Sequence, residues 1–302
     1  MVTIESGVPN IGACSIPAAV YHADPCAVPS LSSHCAATLI TRSPAHAWHE
    51  HPRLGGGKSK TSKAKQRGSL AHELLLQPAG EVEAGFSVIR ADSFRTKAAQ
   101  RQRDDALACG LVPVLEREFD AAVIICGKLA AQLIDHGIRL DGASELAVFW
   151  QEVASDGTIV QCRGMLDHVS FVDGRIVELK TCRSAHPRAI QQAIEAYAYH
   201  IQCEAYRRAL ACIDPTLAGR VQHTWLFCEL DPPYVVVPAE AAGSMRKLGE
   251  SMWLQAVDTW ARCIATNDWP SYSRGKVLRV EASPWALERA LETEPDEEEV
   301  AA

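Results

Sequence analysis

Residues 163–181, RGMLDHVSFVDGRIVELKT, contain the pattern that decides the fold. Alternating apolar residues lead to Asp173-Gly174, and a β-rich run begins at Arg175. Asp-Gly between such runs predicts a β-hairpin with a type I′ turn, because these residues tolerate the positive φ angles that the turn requires. A two-residue turn predicts four cross-strand pairs: Val172 with Arg175, Ser170 with Val177, Val169 with Glu178, and Asp167 with Lys180.

This register places Asp167, Glu178 and Lys180 on one face of the hairpin, since cross-strand partners and residues two apart share a face. Two carboxylates at a diagonal of about 7–8 Å can close on one divalent cation, and their oxygens suit Mg²⁺ or Mn²⁺. A lysine beside them can orient an attacking water and stabilise charge on a phosphate. The alternative is a surface hairpin in which Asp167 and Lys180 form an ordinary salt bridge.

The composition is that of a globular protein with one substantial core: 302 residues, 47% hydrophobic and 22% charged. The net charge of −7 is unevenly spread along the chain. Residues 290–302 hold six acids and no base, so the remainder carries about −1. We expect the acidic block to be a disordered tail, and the near-neutral body does not exclude a nucleic-acid partner.

The eleven cysteines occur singly and form no CxxC, which disfavours a zinc ribbon or an iron–sulfur site. Their odd number and the lack of a secretory signal pattern at the start favour a reduced, cytoplasmic protein. No apolar run approaches the roughly 18 residues of a membrane span, so no membrane partner is expected.

The chain divides into three predicted regions. Residues 1–29 are expected to form an extended N-terminal arm, residues 30–275 a single α/β or α+β domain, and residues 276–302 a C-terminal segment that includes the acidic tail. Within the domain, capping residues predict one helix that begins at Ser30-Leu31-Ser32-Ser33 and a second that begins at Ser43-Pro44. Strands at 145–153, 159–172 and 175–181 form a predicted meander, and Glu145, at its start, can approach the same face.

Basic and histidine-bearing segments precede the meander. Residues 53–67 contain six bases and no acid, and their glycines make the segment flexible. It is either a solvated loop or a clamp on a DNA backbone, formed by Lys58, Lys60, Lys63, Lys65 and Arg67. His72 lies in the next, leucine-rich helix as either a core residue or a metal ligand. His46, His49 and His51 lack acidic or thiol partners at ligand spacing, and we expect them to be exposed or capping residues.

A helix from about Arg188 to Ala211 follows the meander. Its predicted buried stripe consists of Ile190, Ile194, Tyr197 and Ile201. A second stripe lies on a different face and could bind a phosphate, a base or a group beside the metal site: Tyr199, Gln202 and Tyr206. Two strands within 221–237 and a helix from about Ala239 to Ala265 complete the domain.

Together these residues resemble the PD-(D/E)XK nuclease superfamily, and within it the RecE-type (exodeoxyribonuclease VIII-like) branch of phages and prophages. The resemblance spans about residues 30–275 and depends on five pieces in order: Thr41-Arg42-Ser43-Pro44, Gly68-x3-His72, Gly164-x2-Asp167, Glu178-Leu179-Lys180-Thr181 and Tyr199-x2-Gln202-x3-Tyr206. It implies a restriction-endonuclease-like core, with a central mixed sheet flanked by helices. Leu166 stands at the position where the name of the motif has proline. The cysteines that bind an iron–sulfur cluster in some relatives are absent.

The resemblance also implies a site and an activity. One or two Mg²⁺ or Mn²⁺ ions would be bound by His72, Asp167 and Glu178. Lys180 would be the catalytic lysine, and the helix bearing Tyr199, Gln202 and Tyr206 would lie near DNA. The expected reaction is Mg-dependent hydrolysis of linear double-stranded DNA from its ends, in the 5′→3′ sense, leaving 3′ overhangs for recombination.

The expected partners are double-stranded DNA ends, a RecT-like single-strand annealing protein, and further copies of the chain in a ring. Two alternatives remain open at this point. One is a module that binds DNA ends without hydrolysis, and the other is an endonuclease or nickase that uses the same chemistry.

Overall fold

The architecture comes from a computed structural model, which describes residues 8–57, 63–76 and 85–292. The strands in these ranges are β1 Gly12–Cys14, β2 Leu31–Ser32, β3 Phe86–Ile89, β4 Val112–Leu115, β5 Ala143–Val153, β6 Ile159–Ser170, β7 Arg175–Cys182, β8 Gln222–Glu229 and β9 Val236–Glu240. The helices are α1 Ala18–His22, α2 Ser33–Thr41, α3 Pro44–Glu50, α4 Lys63–Leu76, α5 Lys97–Ala108, α6 Glu116–Asp135, α7 Pro187–Ala196, α8 Tyr199–Ile213, α9 Gly243–Thr266 and α10 Pro284–Glu292.

A mixed sheet forms the centre of the molecule, in the order β1-β5-β6-β7-β8-β9, with β2 paired to β6. Strands β5, β6 and β7 form the predicted antiparallel meander, whereas β7 and β8 run parallel. Strands β3 and β4 form a separate two-stranded parallel sheet. The predicted mixed α/β fold, with a central mixed sheet flanked by helices, is therefore confirmed.

Helices cover both faces of the sheet. On one face, α2, α8 and α9 enclose a core that includes Trp150 and Trp253. On the other, α4 and α6 pack against β7 and β8 around Leu129 and Val177. The apolar residues of both faces of β7 are therefore buried, as expected for a strand with helices on either side. None of the helices in the described ranges combines the length and apolar character needed to cross a membrane.

Serine side chains begin two helices at the predicted positions. Ser32 Oγ accepts a hydrogen bond from Cys35 N, and Ser43 Oγ accepts one from His46 N. Within the predicted N-terminal arm, β1 pairs antiparallel with β5 and α1 follows it. The predicted C-terminal segment contains α10. The division of the chain into three regions stays a prediction.

The hairpin at 163–181 differs from its predicted register. Ser170 pairs with Arg175 and Val169 with Ile176, so four residues form the turn instead of two. The physical reason is the backbone of the turn: Gly174 has a positive φ of 69°, and Asp173 does not, whereas type I′ needs both. The partners are displaced by two residues, and a displacement of two does not change which of the paired residues share a face. The pairing ends at His168, so the predicted face of Asp167 stays a prediction.

The predicted helix over 188–211 is interrupted. Helix α7 ends at Ala196 and α8 begins at Tyr199, because Ala198 adopts the left-handed conformation with φ 55°. Ile190, Ile194 and Ile201 are buried as the spacing predicts. Tyr197 is not, since the interruption turns it outward and leaves 67% of the residue exposed.

A buried carboxylate ties the sheet to two helices of the core. Glu152 is 5% exposed and accepts hydrogen bonds from the indole N–H groups of Trp150 and Trp253, each at 3.1 Å. Arg208 of α8 donates two more, at 2.8 and 2.6 Å. A charge at this depth is tolerated because every oxygen has a partner.

Glu152→Ala should lower the free energy of unfolding by about 3 kcal/mol, since two buried indole donors and a guanidinium lose their acceptor. Glu152→Gln should cost less, because its amide oxygen still accepts from one of them. Urea unfolding followed by tryptophan fluorescence measures both. Glu195→Ala, on the exposed side of α7, is the control and should change stability by under about 0.5 kcal/mol. Equal losses in Glu152→Ala and the control would contradict the role of this network.

Candidate active site

Strands β6 and β7 separate next to the predicted site. Their backbone pairing ends at His168 and Val177, and beyond it two carboxylates take over the hydrogen bonding. Asp167 Oδ2 accepts from Leu179 N at 2.7 Å, and Glu178 Oε1 accepts from Asp167 N at 3.2 Å. The structure thus brings Asp167 and Glu178 together across the opening. The predicted cross-strand pairing of Asp167 with Lys180 is wrong, because the backbone pairing ends before Asp167.

His72 reaches this opening from α4. Its Nε2 atom lies 2.9 Å from Asp167 Oδ2. The helix is held in place by Ala71, which packs against the apolar side of β7 at Val177 and Leu179. Gly68, one turn earlier, allows the close approach, since a Cβ there would lie 2.9 Å from Thr181 Oγ1. The sequence left His72 as either a core residue or a metal ligand. Its contact with Asp167 favours the second interpretation.

Glu145 completes the cluster. Its Oε1 atom lies 2.9 Å from His72 Nδ1, and single donor atoms of Glu145, His72 and Asp167 all lie within 4.8 Å of one another. In the pairing of β5 with β6, Ser144 is the partner of His168 and Leu146 is the partner of Leu166. Glu145, between them, has no partner in this register.

Glu145 also has a positive φ of 50°, which is unfavourable for a non-glycine residue and is typical of functional sites. Sequence reasoning placed Glu145 near this face but did not count it among the ligands. The available signal was its position at the start of β5, and the left-handed backbone conformation of Glu145 is not visible in the sequence.

The charges of the cluster depend on one another. Although burial disfavours an imidazolium, the carboxylates of Asp167 and Glu145 raise the pKa of His72 to about 10. Burial likewise disfavours the Asp167 carboxylate, but His72 and Lys180 hold its pKa below the ordinary value. Burial and the charge of Asp167 raise the pKa of Glu178. A cationic centre at this position is therefore strongly favoured, and here a protonated histidine supplies it.

The donor set fits a divalent cation. One imidazole and two carboxylates converge, a mixture of ligands that binds Mn²⁺ and related ions in proteins. Glu145 Oε1 is buried and lies 2.9 Å from His72 Nδ1 without a hydrogen bond of normal geometry, so a cation could replace the imidazolium as its partner. Glu178, the third predicted ligand, is adjacent but lies outside this group of three among the described residues.

Lys180 lies beside the acids on the α8 side of the sheet. Its Nζ donates to Glu178 Oε2 at 3.2 Å and lies 4.8 Å from the centre of the Tyr199 ring. Although burial disfavours an ammonium, the charges of Glu178 and Asp167 raise the pKa of Lys180, so this side chain is cationic at neutral pH. The predicted lysine is therefore placed next to the predicted acids.

Gln202 and Tyr206 hold α8 against β6. Tyr206 donates from its hydroxyl to Met165 O at 2.9 Å, and Gln202 Nε2 donates to Tyr206 Oη at 3.3 Å. Gly164 makes the contact possible, because a Cβ at 164 would lie 2.6 Å from the Tyr206 ring. Tyr206 is only 3% exposed, so its observed contacts position the helix. Its predicted closeness to DNA stays a prediction.

The remaining sequence candidates are the basic segment and three further histidines. Lys58 and Lys60 are outside the described residues, and the backbone alone is described at Lys63, Lys65 and Arg67, in the first half of α4. His46, His49 and His51 are not part of the candidate metal group within the described ranges. His51 is instead buried beside Asp24, with 3.3 Å between Nε2 and Oδ2.

Comparisons with known proteins bear on the fold. No family model matches the chain, and no curated protein sequence matches it. Among solved structures, the chain is similar to a putative exonuclease from Eubacterium rectale, with a TM-score of 0.55 and 10% identity over 86% of this chain and 92% of that one. A phage-related exonuclease from Haemophilus somnus 129PT aligns with a TM-score of 0.31 and 9% identity over 79% of this chain and 96% of that one.

In metal-free protein, His72 should remain an imidazolium at about pH 8, because its pKa is raised to about 10. Asp167→Asn should bring the pKa of His72 down toward its ordinary value, since the strongest stabilising charge is removed. Ring chemical shifts measured by NMR over about pH 5–11 check this. Asp173→Asn, in the turn, is the matched control and should leave the titration unchanged. A wild-type His72 that titrates near 6.5 would contradict the charge balance.

Proposed function

We propose that this protein is a metal-dependent nuclease that hydrolyses phosphodiester bonds of DNA. The observation that carries the proposal is the convergence of His72, Glu145 and Asp167 beside the Glu178–Lys180 pair, at the opening between β6 and β7. The scaffold that carries this cluster is similar in fold to a putative exonuclease. A surface hairpin with an ordinary salt bridge needs neither a half-buried histidine between two acids nor a glutamate with a positive φ.

The cluster of His72, Glu145 and Asp167 would hold the cation. When bound, the ion would stabilise charge on the scissile phosphate and lower the pKa of an attacking water. The His72 imidazolium must lose a proton to become a neutral ligand, so binding would exchange that proton for a metal ion of higher charge. Glu178 is available to share the ion on the side nearest Lys180.

Lys180 would act as a hydrogen-bond donor. Its charge at neutral pH suits donation to a phosphate oxygen or to the attacking water, and does not suit proton abstraction. Glu178 fixes the ammonium at 3.2 Å, and the Tyr199 ring covers it at 4.8 Å. Because this environment excludes water in part, each charge acts at lower dielectric and more strongly than on the surface.

The finer features of the activity are part of the proposal. We infer an exonuclease that resects linear double-stranded DNA in the 5′→3′ sense and leaves 3′ overhangs for annealing-type recombination. A RecT-like annealing protein and a ring of identical subunits are the partners that the RecE-type resemblance implies. Mg²⁺ or Mn²⁺ would be the cofactor, and the cytoplasm the compartment.

Lys180→Ala should reduce the rate of nucleotide release from linear duplex DNA in Mg²⁺ by about 100-fold or more, because a donor aimed at the reacting phosphate is lost. Release of acid-soluble nucleotides measures the rate. Lys276→Ala, at an exposed lysine beyond the core helices, is the control and should retain wild-type activity. Equal rates in wild type and Lys180→Ala would end the proposal, and cleavage of closed circular DNA would replace the exonuclease with an endonuclease or nickase.

Glu145→Gln should raise the Mg²⁺ concentration for half-maximal activity about tenfold or more, since a charged ligand becomes a neutral one. Activity measured against Mg²⁺ concentration, after treatment with a chelator, tests this. Glu281→Gln, at an exposed position, is the control. An unchanged Mg²⁺ dependence in Glu145→Gln would remove Glu145 from the ligand set and leave the acids of the hairpin to hold the ion.

A further inference from the structure

Tyr197 has an exposed ring at a position where helical spacing predicts a buried one. The left-handed conformation of Ala198 ends α7 and rotates Tyr197 off the apolar stripe. Its residue exposure of 67% contrasts with the 6% of Ile190 and Ile194 on that stripe. Exposing an aromatic ring gives up the free energy of its burial, so the position suits a ring that packs against something outside the chain.

The ring belongs to a row of contacts that starts at the proposed catalytic lysine. Lys180 Nζ lies 4.8 Å from the Tyr199 ring centre, and the rings of Tyr199 and Tyr197 stack at 5.6 Å with 29° between their planes. Phe227 of β8 supports Tyr199, with ring centres 6.4 Å apart. Tyr199 therefore packs between Lys180 and Phe227, and one face of the Tyr197 ring packs against Tyr199.

Exposed cations lie on the same connection. Arg183 lies in the segment between β7 and α7, and Arg188 lies in the first turn of α7; both are exposed. Basic side chains on a segment that leaves a phosphate site suit the backbone of a nucleic-acid strand. Exposed aromatic rings beside such a path are the usual stacking platforms for unpaired bases, and they tolerate any base because every base has a π face.

We propose that Tyr197 stacks on an unpaired base of the DNA strand whose phosphate lies at Lys180. The inference extends the proposed nuclease function, since it names the substrate at the site as a strand with at least one unpaired nucleotide. A base pair would present both of its bases within the helical stack, whereas a free base can lie flat on the ring. The enzyme therefore engages frayed or single-stranded ends more tightly than blunt, fully paired ones.

The test is equilibrium binding without turnover. Fluorescence anisotropy of a labelled ten-nucleotide thymidine oligomer, in Ca²⁺ or in chelator, is measured for wild type, Tyr197→Phe, Tyr197→Leu and Tyr197→Ala. The same oligomers are prepared with an abasic site at each position in turn. Tyr272→Ala is the matched control, because Tyr272 is 66% exposed and its ring contacts His46 of α3.

We expect Tyr197→Ala to raise the dissociation constant about tenfold, as loss of one base–aromatic stack does, and Tyr197→Leu to raise it nearly as much. Tyr197→Phe and Tyr272→Ala should bind as wild type does. An abasic site at one position should weaken wild type by the same factor and leave Tyr197→Ala unaffected. Thermal unfolding should be unchanged in all four variants, since neither ring is in the core.

Several results would overturn the inference: no binding by wild type, equal binding by wild type and Tyr197→Ala, or an abasic effect of equal size in both. The outcome is independent of catalysis. Base-dependent binding through Tyr197 without DNA hydrolysis would support the stacking site and contradict the proposed nuclease activity. DNA hydrolysis together with unchanged binding in Tyr197→Ala would support the nuclease activity and contradict the stacking site.

Discussion

The structure depends on Asp167 and Glu178 replacing backbone hydrogen bonds where β6 and β7 separate. The N–H of Asp167 donates to Glu178 Oε1, and Asp167 Oδ2 accepts from the N–H of Leu179. A buried N–H without a partner costs about 1–3 kcal/mol, so the sheet can open only where other acceptors are supplied. The acids proposed for chemistry therefore also stabilise the opening in which that chemistry takes place.

Strand β6 is held from its other side by a second buried charge. Arg163, four residues before Asp167, donates to Ser30 O at 2.7 Å and lies 3.3 Å from Asp24 Oδ1. Although burial disfavours the carboxylate, His51, Arg163 and Ser30 lower the pKa of Asp24 to about 2. The segment before the first core helix is thus fixed to the strand that carries Asp167. Rigid support on both sides is what a site of several close charges requires.

The fold likeness at 10% identity has a simple physical basis. A sheet buried on both faces needs apolar side chains of suitable size at given positions, and many residue combinations satisfy that need. The cluster of His72, Glu145 and Asp167 is restricted differently, since only a few side chains supply imidazole and carboxylate ligands. Function is accordingly argued from the cluster, and the architecture alone supports no more than the scaffold.

The sequence by itself determined the meander, the serine-led starts of α2 and α3, and the proximity of Glu178 and Lys180 on one strand. These follow from local rules: alternation with a period of two, capping, and turn-forming Asp-Gly. The predicted turn length was wrong by two residues, and because a strand repeats every two, the error does not change which of the paired residues share a face. The common face of Asp167 with Glu178 and Lys180 stays a prediction, since the pairing ends at His168. The resemblance to a nuclease family added His72, which no local pattern distinguishes from a core histidine.

Only the tertiary structure decided where Glu145 and Tyr197 lie. Both positions depend on one residue in a left-handed conformation, Glu145 itself in β5 and Ala198 between α7 and α8. Neither residue type favours that conformation, so no propensity predicts it. The packing of α4, α8 and the sheet around the opening stabilises it, and such contacts join residues that lie far apart in the chain.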